Sequence, residues 1–177
     1  DSGGGATPEP SQADILTDLA DDAELFHSAE GTAFGDIRID GHRETWPVRA
    51  KGFRRWLTQQ FFDATGGAPT SEALSSALNV IEARAHFEGP ELPVFIRVGG
   101  VEDKLYLDLC DDTWNAVEVT STGWRVVEEP PVRFRRAAGM LPLPEPKSGG
   151  SVDAFRSFLN VKSDNDFVLV VAWALAV

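Results

Sequence analysis

The hydrophobic residues follow a helical period in three stretches of the first half of the chain. In the first stretch they recur over residues 15–26, behind Ser11 and Asp14, which have the spacing of a capping box. The second stretch covers about 51–65 and ends at two glycines, and the third begins after Pro69. Each stretch gathers its apolar residues on one face, so the sequence predicts three amphipathic helices.

A small β-hairpin is predicted between the first two helices. Apolar and polar residues alternate over 37–39 and again over 46–48. Asp40-Gly41 supplies a two-residue turn between them, because glycine accepts a positive φ. Pro47 has no backbone N–H to donate, so its strand is expected at the edge of a sheet.

Beyond the third helix the apolar period changes to that of a β-strand. Five short strands are predicted, and turn residues separate them at short intervals, which favours an antiparallel meander. Gly99-Gly100 is placed in the connection between the first two. The whole pattern predicts an α+β fold: N-terminal helices with a small hairpin, an antiparallel β meander, a Pro-rich linker and C-terminal helices. The apolar strand positions are Val94, Ile96 and Val98; Leu105, Leu107 and Leu109; Val117 and Val119; Trp124 to Val127; and Val132 with Phe134.

Composition divides the chain further. Residues 1–10 are expected to be a flexible lead-in, 11–136 an α+β accessory domain, and 137–150 a Pro/Gly linker. Residues 151–177 are predicted to be helical, with an apolar run at their end that is too short for a membrane span of about 20 residues. That run predicts either burial against a neighbouring domain or self-association, with Phe167, Val171 and Trp173 as the contacts.

The charge balance changes the picture of possible partners. The chain has 16 Lys+Arg against 28 Asp+Glu among 177 residues, a formal charge of −12. This charge opposes non-specific binding of the whole surface to nucleic acid or to an anionic membrane, but it leaves room for a local basic patch. Cys110 stands alone and the N-terminal residues do not resemble a signal peptide, so a cytoplasmic location is expected.

Most catalytic signatures are missing from the sequence. The three histidines lack the spacing of a helical metal pair, and no G-x-S-x-G, Walker A or G-x-G-x-x-G string is present. We therefore expect no enzyme activity, no metal and no cofactor. Asp108 and Asp111 leave open a Mg²⁺-dependent nuclease. The alternative, which we favour, is a strand followed by a polar turn, with Asp108 on the solvent face.

Two basic clusters are the candidate sites for nucleic acid. Such side chains contact phosphates, and a neighbouring aromatic ring can stack on a base. The alternative is that the arginines pair with the abundant carboxylates while the aromatics belong to the core. The candidate nucleic-acid-binding residues are Arg49, Lys51, Arg54, Arg55, Arg133, Arg135 and Arg136.

Several strings together carry a resemblance to a known family. They are WPVRAKGFRRWL at 46–57, LYLDL at 105–109, GW at 123–124, PVRFRR at 131–136, LPLP at 141–144 and FLNV at 158–161. They resemble the region that precedes the P-loop ATPase core in bacterial and phage ATP-binding proteins, the primase-helicase or helicase-like replication proteins of mobile elements.

This resemblance implies a non-catalytic accessory fragment of a DNA-replication-type ATPase. Its partners would be DNA and the downstream ATPase domain of the same parent chain, and residues 151–177 would be the helical start of that truncated domain. In that family the phosphate-binding loop lies beyond the position of Val177, so no nucleotide-binding residue is carried over and no binding of ATP is expected. The alternative is a structural, oligomerisation or protein-interaction module without nucleic-acid binding.

Overall fold

The computed structural model of the chain describes residues 9–175 and has two compact units. The first unit ends at Leu143 and the second begins at Pro144. The first unit therefore extends past residue 136, because the Leu143 N–H donates to the Leu109 carbonyl at 2.8 Å and Arg97 donates to the Leu141 carbonyl at 2.9 Å. Of the expected lead-in, residues 1–8 lie outside the described residues, and so do 176–177.

Three helices form in the stretches where the sequence predicts them, although the first is shorter than predicted. They are α1 (Gln12–Leu19), α2 (Lys51–Thr65) and α3 (Ser71–Phe87). Ser11 and Asp14 make the reciprocal bonds of a capping box, and the Thr70 hydroxyl caps α3 by accepting from the Ala73 N–H at 3.1 Å. α2 ends at Thr65 and is capped by Gly66, whose φ of 72° is the left-handed conformation of a glycine C-cap.

The first helix is shorter than predicted. α1 ends at Leu19, a 3-10 turn follows over Ala20–Asp22, and the chain continues as strand β1 (Glu24–His27). The prediction that the helix reaches Phe26 was wrong, because Ala23 is already extended and Phe26 stacks on Phe34 with ring centroids 5.5 Å apart. Apolar spacing over so short a stretch fits a helix and a strand equally well.

The predicted hairpin forms two strands of a small antiparallel sheet. β2 (Ala33–Ile39) and β3 (His42–Pro47) follow β1 in the order β1-β2-β3, so β3 and its proline lie at the edge. Asp40 and Gly41 both have positive φ, 48° and 88°, as a type I′ turn requires. This sheet packs with the three helices around one core, whose buried members include Leu16, Ile37, Val48, Phe53, Leu57, Phe61, Leu78 and Ile81.

The predicted meander is present in the second half of the first unit. β5 (Val98–Val101), β6 (Lys104–Asp108), β7 (Ala116–Thr120) and β8 (Gly123–Val127) form a sheet in chain order, with every neighbouring pair antiparallel. This part of the α+β prediction is confirmed.

The two ends of the meander differ from the prediction. The expected strand over 94–98 is divided by Arg97, whose φ is 67°, into β4 (Val94–Phe95) and β5. Gly99-Gly100 lies inside β5, and the turn that follows is formed at Glu102-Asp103. The fifth predicted strand, β9 (Arg133–Phe134), leaves the meander and pairs with β4 in parallel.

The buried face of β6 is the opposite of the predicted one. Tyr106 and Asp108 are buried, with 2% and 1% of their surface exposed, whereas Leu105 is 45% exposed. Tyr106 belongs to a second core with Ala116, Val132 and Phe134. The prediction that Asp108 faces solvent was therefore wrong, since alternation defines two faces of a strand without specifying which one is covered.

The second unit is helical. It contains α4 (Val152–Phe155), a 3-10 turn over Arg156–Phe158, and α5 (Asp164–Leu175). Phe167 is buried, with the Arg156 guanidinium 4.3 Å from its ring centroid, so it is not one of the exposed apolar contacts that were predicted. Trp173 is exposed and Val171 is partly buried. Within the described part of the chain, none of the helices has the length and apolar character of a membrane span.

Candidate nucleic-acid interface

Arg133 is held by carboxylates rather than displayed to solvent. Its Nε donates to Asp36 Oδ2 at 2.8 Å and its Nη2 to Glu24 Oε1 at 2.9 Å, while the guanidinium lies 5.0 Å from the centroid of the Phe26 ring. The side chain is 14% exposed. A phosphate would have to displace these carboxylates, so the contacts of Arg133 serve to connect β9 with β1 and β2.

The carboxylate of Asp36 explains why Arg133 is needed there. It is buried in β2, where the Thr45 hydroxyl donates to Oδ1 at 2.6 Å. Burial raises the pKa of Asp36, while the Thr45 hydrogen bond and the charges of Arg133 and Arg43 act in the opposite direction. Removing a carboxylate from water costs roughly several kcal/mol, and attraction to a nearby cation offsets that cost. Arg133 and Arg43 supply the positive charge beside Asp36.

Arg136 is enclosed in a similar way. Its Nη2 donates to Asp108 Oδ1 at 2.7 Å, its Nε to Asp108 Oδ2 at 3.1 Å, and its guanidinium stacks 4.0 Å from the Trp114 ring centroid. Asp108 also accepts the Cys110 N–H at 2.8 Å. Both oxygens of Asp108 are therefore engaged, and among residues 9–175 no group of three or more His, Cys, Asp or Glu side chains could hold a metal ion.

Arg49 joins two helical segments. It precedes α2, and its Nε and Nη2 donate to Glu82 Oε2 of α3 at 3.0 and 2.6 Å. Asn79 also accepts from its Nη2, at 2.5 Å. The side chain is 47% exposed, so this ion pair is worth little to stability, about 1 kcal/mol or less.

The remaining candidates are on the surface. Lys51, Arg54 and Arg55 lie in the first half of α2, are all exposed, and make no ion pair with any residue that the structure describes. They stand at i, i+3 and i+4, so their side chains share one face of the helix. Arg135 is exposed too, directly after β9, where its backbone N–H donates to Phe95 O at 2.8 Å.

The structure therefore brings together three of the seven predicted cations and ties three others to carboxylates. Comparison of the chain with protein-family models, curated proteins and solved structures gives no match. The contacts, exposure and charge of the seven cations therefore indicate where a site lies. They single out the exposed face of α2 formed by Lys51, Arg54 and Arg55, which we call the α2 basic face.

The position of the α2 basic face is unfavourable for the helix itself. The N-terminal end of a helix carries a partial positive charge, so a cation there costs about 0.3–1 kcal/mol at an exposed site. The first turn of α2 has no acidic residue to compensate, and Ala50 provides no side-chain cap. Because the effect falls off within the first turn, this cost applies chiefly to Lys51, the first residue of α2, and helix stability gives no reason for a cation there.

A cleft adjoins this face, and the sequence did not predict it. It runs along α2 and has a volume of about 570 Å³. Trp46 and Trp56 line it together with Arg38 and Arg55. The sequence could not show that Trp46 and Trp56 line one cleft, since the strand and the helix that carry them are brought together by tertiary packing.

Gly52 is the local feature that shapes this cleft. A Cβ atom at Gly52 would overlap the Trp46 ring, so the absence of a side chain lets the indole lie against the first turn of α2. The Trp46 Nε1–H donates to Glu44 Oε2 at 2.6 Å, which fixes the ring further. A glycine within the basic string at 49–55 was the one signal in the sequence that could have indicated a close approach.

Proposed function

We propose that the chain is a non-catalytic accessory domain of a DNA-replication-type ATPase and that its α2 basic face binds nucleic acid. The observation that carries the proposal is the exposure of Lys51, Arg54 and Arg55 on one helix face without a carboxylate partner among the described residues. Phosphate groups are the ligands that such a face attracts. The resemblance in sequence supplies the parent class.

The size of the face limits the strength of binding. Three phosphate contacts on duplex DNA correspond to a slope of about −2.7 in a plot of log affinity against log salt. An increase from about 50 to about 200 mM salt should then weaken binding about 40-fold. The net charge of −12 opposes approach of a polyanion, so we expect detectable binding only at low salt.

The test is fluorescence anisotropy of a labelled oligonucleotide at low salt. The triple variant Lys51→Ala, Arg54→Ala, Arg55→Ala should lose binding and most of the salt slope. A matched variant, Arg135→Ala, Lys147→Ala, Lys162→Ala, removes the same charge from other exposed positions and should retain both. Absence of binding by the unaltered chain, or equal loss in the two variants, would overturn the proposal.

A second function has its own support, a row of exposed apolar side chains across the meander. Leu105, Val119 and Trp124 face one another on β6, β7 and β8 and are 45%, 40% and 41% exposed. Such a row is typical of a contact surface, here for a second copy of the chain in an oligomerisation module. Light scattering across a concentration series should then show self-association, and Val119→Lys should reduce it. A chain that is monomeric at every concentration would exclude the oligomerisation role.

A further inference from the structure

The cleft along α2 holds aromatic, cationic and amide side chains in one place. Strands β2 and β3 form one wall with Arg38 and Trp46, and helix α2 forms the other with Arg55 and Trp56. We infer that this Trp46–Trp56 cleft binds unpaired bases of a single-stranded nucleic acid. The inference rests on the proposed function, because Arg55 belongs both to the cleft and to the α2 basic face.

Both indoles are anchored and still partly open. Trp46 is fixed by its bond to Glu44 and by its packing over Gly52. Trp56 is tilted against Phe53 with ring centroids 5.2 Å apart. Each ring is intermediate in exposure and lines the cleft. A rigid aromatic surface binds a base without a large loss of side-chain entropy, and every base offers a face for stacking.

Two arginines, Arg38 and Arg55, and two carboxylates, Asp40 and Glu44, line the cleft. Arg55 is exposed, and Arg38, 66% exposed, is held at the rim by Glu129 at 2.6 Å. The carboxylate of Glu44 also lines the cleft, but its oxygens already accept from Trp46 Nε1 and meet His42 Nε2 at 3.1 Å. Because Arg38 is already paired with Glu129, Arg55 is the guanidinium placed to contact a phosphate beside a base that is stacked on an indole.

The dimensions and the polar lining agree with this ligand. The cleft volume of about 570 Å³ lies within the range of roughly 300–1,000 Å³ typical of small-ligand sites. Gln59 and Gln60 add amide groups, which offer donors and acceptors to base edges. In a duplex the bases are paired and stacked on each other, so a stacking cleft selects single strands over duplexes of the same length.

Tryptophan fluorescence of the full chain tests this inference directly. Titration with a single-stranded oligonucleotide at low salt should quench the emission and saturate, whereas the duplex of the same length should quench little and bind more weakly. Trp56→Leu and Trp46→Leu should each weaken single-strand binding by about tenfold or more, and Trp56→Tyr, which keeps an aromatic ring, should restore most of it.

Phe87→Leu is the matched control, since it removes an exposed aromatic ring that lies at the end of α3 outside the cleft. It should leave affinity unchanged, and circular dichroism should show every variant folded. The preference of the unaltered chain for single strands is measured without any substitution, so the inference stays testable if a tryptophan variant fails to fold.

The outcomes separate this inference from the proposed function. If single strands and duplexes bind equally, and the α2 triple variant alone abolishes binding, the cleft assignment is wrong while the proposed function stands. If no oligonucleotide binds at low salt, both fail. If Trp46→Leu and Trp56→Leu both bind single strands with the affinity of the unaltered chain, the bases lie elsewhere and the cleft assignment is again overturned.

Discussion

Asp108 shows at the scale of a residue why the basic string at 133–136 is mostly turned away from solvent. Its side chain is 1% exposed and its charge is balanced by Arg136, which is 13% exposed. Arg135, one position earlier, is exposed and points to no carboxylate among the described residues. Arg135 and Arg136 thus have different environments, and single substitutions are needed to distinguish their contributions.

Removal of Arg136 should be far more damaging than removal of its neighbour. Arg136→Leu leaves the buried carboxylate of Asp108 unpaired, and we expect the free energy of unfolding to fall by about 3–5 kcal/mol. Arg135→Leu changes an exposed side chain and should stay within about 0.5 kcal/mol of the original. Urea unfolding followed by circular dichroism measures both, and equal losses would contradict the buried ion pair.

Glu118 gives the acid dependence of stability at the same scale. The Arg125 guanidinium donates to it at 2.6 Å and the Tyr106 hydroxyl at 2.8 Å. These bonds lower the pKa of Glu118 from 4.5 to about 2, whereas burial, with the Glu118 bond next in importance, raises the pKa of Tyr106 to about 12. Between pH 4.5 and 2 the unfolded chain binds the proton more readily than the folded chain.

The Glu118 contribution is thus present above pH 4.5 and is lost as the pH falls toward 2. Glu118→Gln should make the loss of stability on acidification less steep in that window, while Glu145→Gln at an exposed position should not. Urea midpoints at a series of pH values provide the comparison. Parallel curves for Glu118→Gln and the original chain would count against the bonds described.

At the scale of an element, α2 depends on its C-terminal cap. Gly66 has a φ of 72°, a conformation that a side chain disfavours, while the adjacent Gly67 has no such restriction. Gly66→Ala should therefore reduce the free energy of unfolding by about 1 kcal/mol, and Gly67→Ala should have little effect. Thermal unfolding of the two variants measures the difference, and equal melting temperatures would refute the role of the cap.

At the scale of the whole molecule, the division at Leu143 separates two units with different surfaces. The second unit exposes Val168, Leu169, Trp173 and Leu175 on α5. Apolar area left in water costs about 25 cal/mol per Å², so this helix is the segment that we expect to drive association.

Removal of residues 144–177 should leave the first unit folded and shift the protein toward the monomer. The cut keeps Leu141 and Leu143, whose carbonyl and N–H bind to Arg97 and Leu109. Light scattering and circular dichroism on the two proteins supply the measurement. Unfolding of the shortened protein, together with a monomeric full chain, would mean that the helix belongs to the core of the first unit.

Local interactions are what the sequence by itself determined. The capping box at Ser11, the Thr70 cap, the Gly66 C-cap and the Asp40-Gly41 turn each involve residues a few positions apart, so their patterns are complete within a short string. The meander could be predicted for the same reason, since its strands pair with their sequence neighbours. The basic string at 51–55 lies within a single helical stretch, so helical spacing alone places its cations on one face.

Contacts between distant residues were decided only by the tertiary structure. Alternation in β6 gave two faces without indicating that Arg136 would bury Asp108, and nothing local pairs β9 with β4 or Arg133 with Asp36. The same holds for the cleft, because Trp46 and Trp56 come from a strand and a helix that packing places side by side. Local periodicity specifies which residues share a face, whereas long-range packing and charge pairing decide which faces meet and which side chains remain free.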